Sequence, residues 1–281
     1  TGGLMYGKKK KVKKAYEADV NSQYAHLKKQ CDFITRKRRF RTRKSLPEEF
    51  KKRHLYSIYR VKITGYDEKL FQNNKKGDFH TGFDVQTALT EGYRCELIQD
   101  KYPNCLEYGD RCRVSGELVF GKFVNDIYKL KQAKVPLGKL VLNILWGYLC
   151  SYSTKTISTQ DDEEIADLSL IKNATPTYVK GGVQHYRIKL FNHYEMMNSG
   201  DVRKKIFRFK YARFGPFLTA MGRRLMYETI KPIKDDVVRI HTDGFISTKP
   251  IEGLDEGEAM GQWKMNEGSC LIENACVVRW K

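Results

Sequence analysis

Residues 18–25 read Ala18-Asp19-Val20-Asn21-Ser22-Gln23-Tyr24-Ala25, and the reading of the whole chain turns on them. An acid closes an apolar run, expected to be a strand over residues 15–24 that passes into a polar turn. That puts a carboxylate at a strand edge with a backbone turn beside it. A lone acid in such a place is more often a turn or cap residue, so the reading needs partners elsewhere in the chain.

One partner is Val237-Val238-Arg239-Ile240-His241-Thr242-Asp243-Gly244-Phe245-Ile246, an apolar strand, a tight turn with an acid in it, and a second apolar run. A β-hairpin of this kind places Asp243 at its tip, where it can stand beside the first strand of an antiparallel sheet. In-line phosphoryl transfer uses two divalent ions ~3.5–4 Å apart, bridged by carboxylates from separate segments. Asp19 and Asp243 are the candidates for those bridges.

Between them lies Lys139-Leu140-Val141-Leu142-Asn143-Ile144-Leu145-Trp146-Gly147. On a helix, positions i, i+4 and i+7 share a face, so Lys139, Asn143 and Trp146 align while Leu140, Ile144 and Leu145 are expected to pack elsewhere. A cation, an amide and an aromatic plane suit a triphosphate, a sugar and a base. The competing reading is a common helical pair with Trp146 in the core.

Composition sets the bounds. The chain has 281 residues, 41% hydrophobic and 30% charged, which excludes a disordered tail, a collagen-like fibre and a membrane protein. Lys and Arg number 52 against 33 Asp and Glu, a formal charge of +19, so an anionic partner is expected and nucleic acid is the commonest. The seven cysteines form no C-x-x-C, and reduced thiols in an intracellular compartment are expected. The chain opens on Thr1 with no apolar signal core, as expected of a segment of something longer.

Along the chain, residues 1–14 are Gly-rich and then basic, a loop by composition, with Lys8 to Lys11 either a solvated turn, a phosphate contact or an import signal. Residues 31–53 are dense in Arg and Lys, which suits a face that meets phosphates or a surface loop. A strand is expected over 56–64, a short helix over 84–92 and a strand over 93–99. Two helices over 120–134 and 138–150 are split by Pro136-Leu137-Gly138. Residues 151–180, with an acidic cluster at 161–164, read as a protruding insertion. A strand over 184–192, a helix over 214–230 and the hairpin complete the pattern, which is α+β.

The D-x-N-S-x-Y, K-x3-N-x-x-W-G and T-D-G segments, in this order, resemble motifs A, B and C of family B DNA polymerases, most closely the protein-primed branch of phages, adenoviruses, linear plasmids and self-synthesising transposons. The resemblance runs from Gly2 to about Trp263. It implies a palm, an antiparallel sheet with flanking helices, together with helical-hairpin fingers and insertions. Residues 1–29 would be palm with motif A, and 30–115 an insertion like the one that docks a terminal protein. Residues 116–150 would be fingers with motif B, 151–182 a second insertion, and 183–281 palm with motif C, reaching the start of a thumb or truncated before it.

By the same resemblance, Asp19 is a metal ligand, Val20 a ligand through its carbonyl, and Tyr24 the aromatic under the sugar that excludes a 2′-hydroxyl. Ser22 joins them at the nucleotide. Lys139 would bind the triphosphate, Asn143 is the motif B amide, Trp146 stands where the family has Tyr, and Lys131 is a looser second phosphate contact. Gly2-Gly3 resembles the end of a template-contacting Y-x-G-G, Arg213 lies in a segment along the primer, and Lys264 follows motif C. These four are the expected DNA contacts.

Motif C departs from the family's D-T-D-S. Either Asp243 is the second Asp and His241 replaces the first, or Asp243 is the first and Phe245 fills the second place, leaving a dead site. His241 has the role of a strand-end hydrogen bond or of an outer partner to the metals, and the other histidines read as ordinary surface or core residues. The resemblance thus implies a DNA-directed DNA polymerase core that uses two Mg²⁺ ions, with Mn²⁺ able to replace them. Its partners would be primer-template DNA, dNTPs and a terminal-protein primer, with no membrane. The alternative is a catalytically silent fragment that binds nucleic acid or terminal protein.

Overall fold

In the computed structural model the basic N-terminal run is strand. In Lys10–Val20 the residues Val12, Ala15, Ala18 and Val20 are buried while Lys11, Lys13 and Lys14 remain in water. The ladder is made by backbone groups along the strand edges, so lysine side chains projecting from its faces do not prevent pairing. The expected loop over residues 1–14 is therefore corrected to two strands, and the expected strand over 15–24 ends at Val20. The structure describes residues 2–36, 38–73, 78–151, 154–159, 174–180, 183–189 and 211–281, with backbone alone in the three short stretches between 154 and 189.

The elements run β1 (Met5–Gly7), β2 (Lys10–Val20), α1 (Gln23–Gln30), β3 (Phe33–Ile34), α2 (Lys52–Leu55), β4 (Ser57–Thr64), β5 (Phe79–Thr81), α3 (Gly82–Thr90), β6 (Arg94–Leu97), β7 (Cys105–Glu107) and β8 (Arg113–Val114). There follow α4 (Gly116–Gln132), α5 (Gly138–Leu149), β9 (Thr154–Thr159), β10 (Ala174–Lys180), β11 (Val183–Lys189), α6 (Gly215–Ile230), β12 (Val237–His241), β13 (Gly244–Ser247), β14 (Trp263–Ile272) and β15 (Val278–Trp280). The fold is α+β, with antiparallel pairing in its strand ladders.

The chain divides into two compact units, the first made of Thr1–Ile144 with Phe214–Lys281, the second of Leu145–Arg213. In the first, six strands pair in the order β1-β12-β13-β2-β14-β15. Met226, Tyr227 and Ile230 of α6 close over Ala18, Val20, Val237, Ile240, Phe245 and Trp263. Small Ala18 between large neighbours lets the helix seat on the sheet. A second core forms where β4 pairs with β5, β6 and β7, and α3 covers Tyr59, Val61 and Ile63 with Val85 and Ala88.

The two cores share a buried ion pair. Arg223 of α6 donates through Nε and Nη2 to the Asp84 carboxylate, each over 2.9 Å. Thr81 caps α3 through the Asp84 N–H, and Asp84 returns the bond by accepting from Thr81, the reciprocal arrangement of a capping box.

α4 and α5 are joined through residues 133–137, where Lys134 and Leu137 take positive φ of 55° and 70°. Leu140 and Ile144 were expected to pack and are instead about half exposed, while Leu142 is buried. The helix is held by the Gly138 and Leu142 side, which the i, i+4, i+7 count cannot distinguish from its neighbours.

In the second unit β10, β11 and β9 form a three-stranded antiparallel sheet. The acidic cluster at 161–164 and the end of the expected 184–192 strand lie outside the described residues, as does Lys37.

Candidate active site at the hairpin tip

β2 ends at the Asp19 and Val20 pair because the next residues leave the ladder. Ser22 adopts φ 57° and ψ 42° and opens α1, its carbonyl accepting from the N–H groups of Ala25 and His26. The facing hairpin turns on Thr242, also at positive φ, 56°. Left-handed conformations at residues other than Gly are costly and persist where the surroundings impose them. Here they flank the two acids.

The strands carrying those acids are neighbours. Gly244 of β13 pairs with Asp19, and the Val20 N–H donates to the Asp243 carbonyl over 2.8 Å. On the other side Lys264 of β14 pairs with Asp19. A Cβ on Gly244 would lie 2.8 Å from Asp19 Oδ1 and 3.0 Å from the Ala18 carbonyl, so the residue after Asp243 must be Gly for Asp19 to keep its position. Thr242 Oγ1 donates to Asp243 Oδ1 over 2.6 Å. Phe245 is buried in the core against Trp263, ring centroids 5.8 Å apart.

Asp19 stands at the open end of its strand, yet its carboxyl is pushed up to about 6. Loss of hydration to the surrounding protein is the main cause, the Asp243 and Glu17 carboxylates add to it, and Lys139 and Lys264 oppose it. The Asp19 and Asp243 carboxylates, brought together on neighbouring strands with the Val20 backbone beside them, are a hard-oxygen donor set that suits a divalent cation. Among the described residues no group of three or more His, Cys, Asp or Glu converges as a metal cluster, so the set is limited to two side chains.

Lys131 of α4 is turned onto the same turn. Its Nζ donates to Asn21 Oδ1 and Ser22 Oγ, each over 2.6 Å. Its pKa is lowered, by burial first and then by Lys264 and Lys139, while Asp19 pulls the other way. Lys131, Lys139 and Lys264 thus share one field around Asp19, an arrangement that favours a polyanion. Asn143 lies on the same helix as Lys139 and is exposed. Trp146, in the second unit, is described only as part of α5.

Tyr24 lies on the first turn of α1 against α6. A Cβ on Gly222 would be 3.3 Å from its ring, and burial, with the Asp243 carboxylate second, pushes its hydroxyl up to about 12. The ring is wedged beside the acids as a neutral phenol.

The glycines at the start of the chain have structural work. A Cβ on Gly3 would meet Thr242 Cα at 2.7 Å, and the Gly2 carbonyl accepts from Arg223 Nη1. Gly3 thus abuts the hairpin and Gly2 is tied to α6. Arg213 is half-buried in the turn that precedes α6 and belongs to the second unit.

Three further residues shape the site and were given no role from sequence. Asn21 is buried and donates from Nδ2 to Tyr128 Oη over 3.0 Å, to the Ala259 carbonyl over 3.1 Å and to the Glu258 carbonyl. Tyr128 Oη donates on to the Glu258 carbonyl over 2.8 Å. Asn21 therefore bolts the β2 turn to α4 and to the loop before β14. Lys28 and Arg223 are the others, and neither spacing nor charge pattern marks a buried cation as different from the many exposed ones.

No protein-family model matches the chain. A curated relative, a "Probable DNA polymerase" of Agaricus bitorquis, is 24% identical over 294 residues, covering 92% of this chain and 36% of that protein. Among solved structures, Phi29 DNA polymerase complexed with primer-template DNA and incoming nucleotide substrates superposes with a TM-score of 0.66 at 15% identity, over 99% of this chain and 48% of that one. The same polymerase complexed with single-stranded DNA gives 0.65 at 15%, over 99% and 47%. The chain thus spans about a third of the curated relative and about half of the solved one. The likeness to protein-primed family B DNA polymerases, read from three short motifs, is met by the whole chain: its fold is that of the Phi29 DNA polymerase.

Proposed function

We propose that this chain is the palm-and-fingers part of a DNA-directed DNA polymerase, adding dNTPs to a primer 3′-hydroxyl. The observation that carries the reading is the pairing of Gly244 with Asp19 and the 2.8 Å bond from the Val20 N–H to the Asp243 carbonyl. It brings two acids of distant sequence to one spot, under three lysines. Both relatives named above are DNA polymerases by their titles, which supports the same activity and the same polymer here.

Asp19, Asp243 and the Val20 carbonyl would hold two Mg²⁺ ions, with Mn²⁺ able to replace them. Those ions would supply Lewis-acid charge at the α-phosphate and lower the pKa of the attacking hydroxyl. The residues of the chain do the rest. Lys139 and Lys131 neutralise the triphosphate, Lys264 answers backbone phosphate, and Asn143 orients the nucleotide. Tyr24, held between α1 and Gly222, blocks the space that a 2′-hydroxyl would need. The priming hydroxyl belongs to a nucleic acid or to a terminal protein docked on the 30–115 insertion, and the work is done in an intracellular compartment.

Primer extension with dNTPs and Mg²⁺ or Mn²⁺, comparing the chain with Asp19→Asn and Asp243→Asn, tests this. Template-directed extension lost in either variant supports the reading. Primer-template bound but not extended by the unaltered chain would favour the catalytically silent binding fragment.

A further inference from the structure

Lys28 is 1% exposed, and its Nζ donates to the main-chain carbonyl of Leu142 in α5 over 2.5 Å. Burying an ammonium is costly unless it is answered. Burial alone brings this one down to about 8. Among the described residues no carboxylate forms an ion pair with it, and the answering group is that one carbonyl. A leucine or methionine would fill the same space without the cost, so the position spends stability on a directional bond.

The bond joins two elements that matter. α1 begins beside Asp19 with Ser22 and Tyr24, and Lys28 lies five residues into it. α5 carries Lys139, three residues before Leu142, and Asn143, the residue after it. At its start α5 is tied to α4, where a Cβ on Gly138 would lie 3.0 Å from the Lys131 N. Beyond that, within residues 138–144 only Leu142 is buried, and Leu140 and Ile144 are about half exposed, so the bond from Lys28 is the polar tie nearest to Lys139 and Asn143. α4 is seated on the α1 backbone without the Lys28 side chain, since a Cβ on Gly116 would collide with the Lys28 and Cys31 main-chain carbonyls. Apolar contact alone lets a helix slide, whereas a hydrogen bond to one carbonyl selects one register.

We propose that Lys28 is a positioning residue: its bond to the Leu142 carbonyl sets where Lys139 and Asn143 stand relative to Asp19, and thereby sets nucleotide affinity without contact to the nucleotide. This rests on the polymerase reading of the same site.

The test is steady-state incorporation of dATP by the full chain on a primer-template, for the unaltered protein, Lys28→Met, Lys28→Gln, Lys139→Ala and Lys28→Met with Lys139→Ala. Lys28→Met should raise KM for dATP about tenfold, leave kcat within about threefold, and leave the Kd for primer-template within about twofold. Lys28→Gln keeps a donor and should fall between Lys28→Met and the unaltered chain. The double variant should be no worse than Lys139→Ala alone, because the group being positioned is already gone. Unchanged KM in Lys28→Met, a joint fall of kcat and Tm, or additive effects in the double variant would overturn the proposal. If Lys28→Met fails to fold, Lys28→Gln with unchanged KM overturns it equally. No dATP incorporation or binding by the unaltered chain would instead remove the polymerase reading, and this inference with it.

Discussion

Gly244 and Asp19 face one another across β13 and β2 so closely that a single added carbon on Gly244 would lie 2.8 Å from Asp19 Oδ1. The missing side chain is part of the geometry of the carboxylate opposite. Where the family resemblance has Ser after the acid, this chain has Gly.

Gly244→Ala should therefore act on activity before stability. Asp19 must rotate or the strands must part, and a displacement of about 1 Å at a reacting centre costs on the order of 10²-fold in rate. Extension rate measured beside Tm would show the first falling steeply and the second by a few degrees; equal loss of both would point to general disruption.

Asn21→Ala should loosen the attachment of α4 to the β2 turn. It leaves Tyr128 Oη, Lys131 Nζ and the Glu258 and Ala259 carbonyls each without one partner, and an unsatisfied buried group costs about 1–3 kcal/mol. Urea unfolding should show a loss in that range or above it, and Asn21→Asp should not restore the two carbonyl contacts, because a carboxylate cannot donate to them.

Arg223 and Asp84 set an acid limit on the fold. Burial alone would raise the Asp84 carboxyl, but the Arg223 guanidinium, aided by Thr81, holds it below the usual carboxylate range. A depressed carboxylate contributes stability that is complete above the unfolded pKa, near 3.9, and is lost as pH falls through the folded value. Arg223→Met should cost about 3–5 kcal/mol at pH 7 by stranding a buried charge. Asp84→Asn should flatten the fall in Tm below pH 4 that the unaltered chain shows.

Tyr24→Ala should admit ribonucleotides. The ring stands against Gly222 on one side and lies within the field of Asp243 on the other, so under the proposed function its removal would open space beside the nucleotide sugar without moving the acids. Incorporation of ATP against dATP would rise relative to the unaltered chain; an unchanged ratio would take sugar selection away from Tyr24.

The parts of the fold legible in the sequence were those with strong local period or punctuation. β4 alternates Tyr59, Val61 and Ile63 with Arg60 and Lys62, and Pro136-Leu137-Gly138 splits two helices whose ends fall within a few residues of expectation. β2 was legible only in its second half. Its first half is lysine-rich, and composition spoke for a loop where cross-strand pairing with β14 at Lys10, Lys11 and Val12 made a ladder. The two acids were found by order and spacing of motifs. Asn21, Lys28 and Gly244 act through contacts with residues more than a hundred positions away, and no local pattern announces such a contact.

The sheet also dictates the order in which the protein becomes itself. β2 lies between β13 and β14, more than two hundred residues downstream, so the strand that bears Asp19 is an orphan edge until both arrive. Closing so long a loop is slow rather than strongly unfavourable. A nascent chain would hold an unpaired, lysine-studded edge while the more than two hundred residues up to β13 and β14 are made, and those charges resist premature pairing with other chains. The positive charge of β2 is in this sense a folding safeguard.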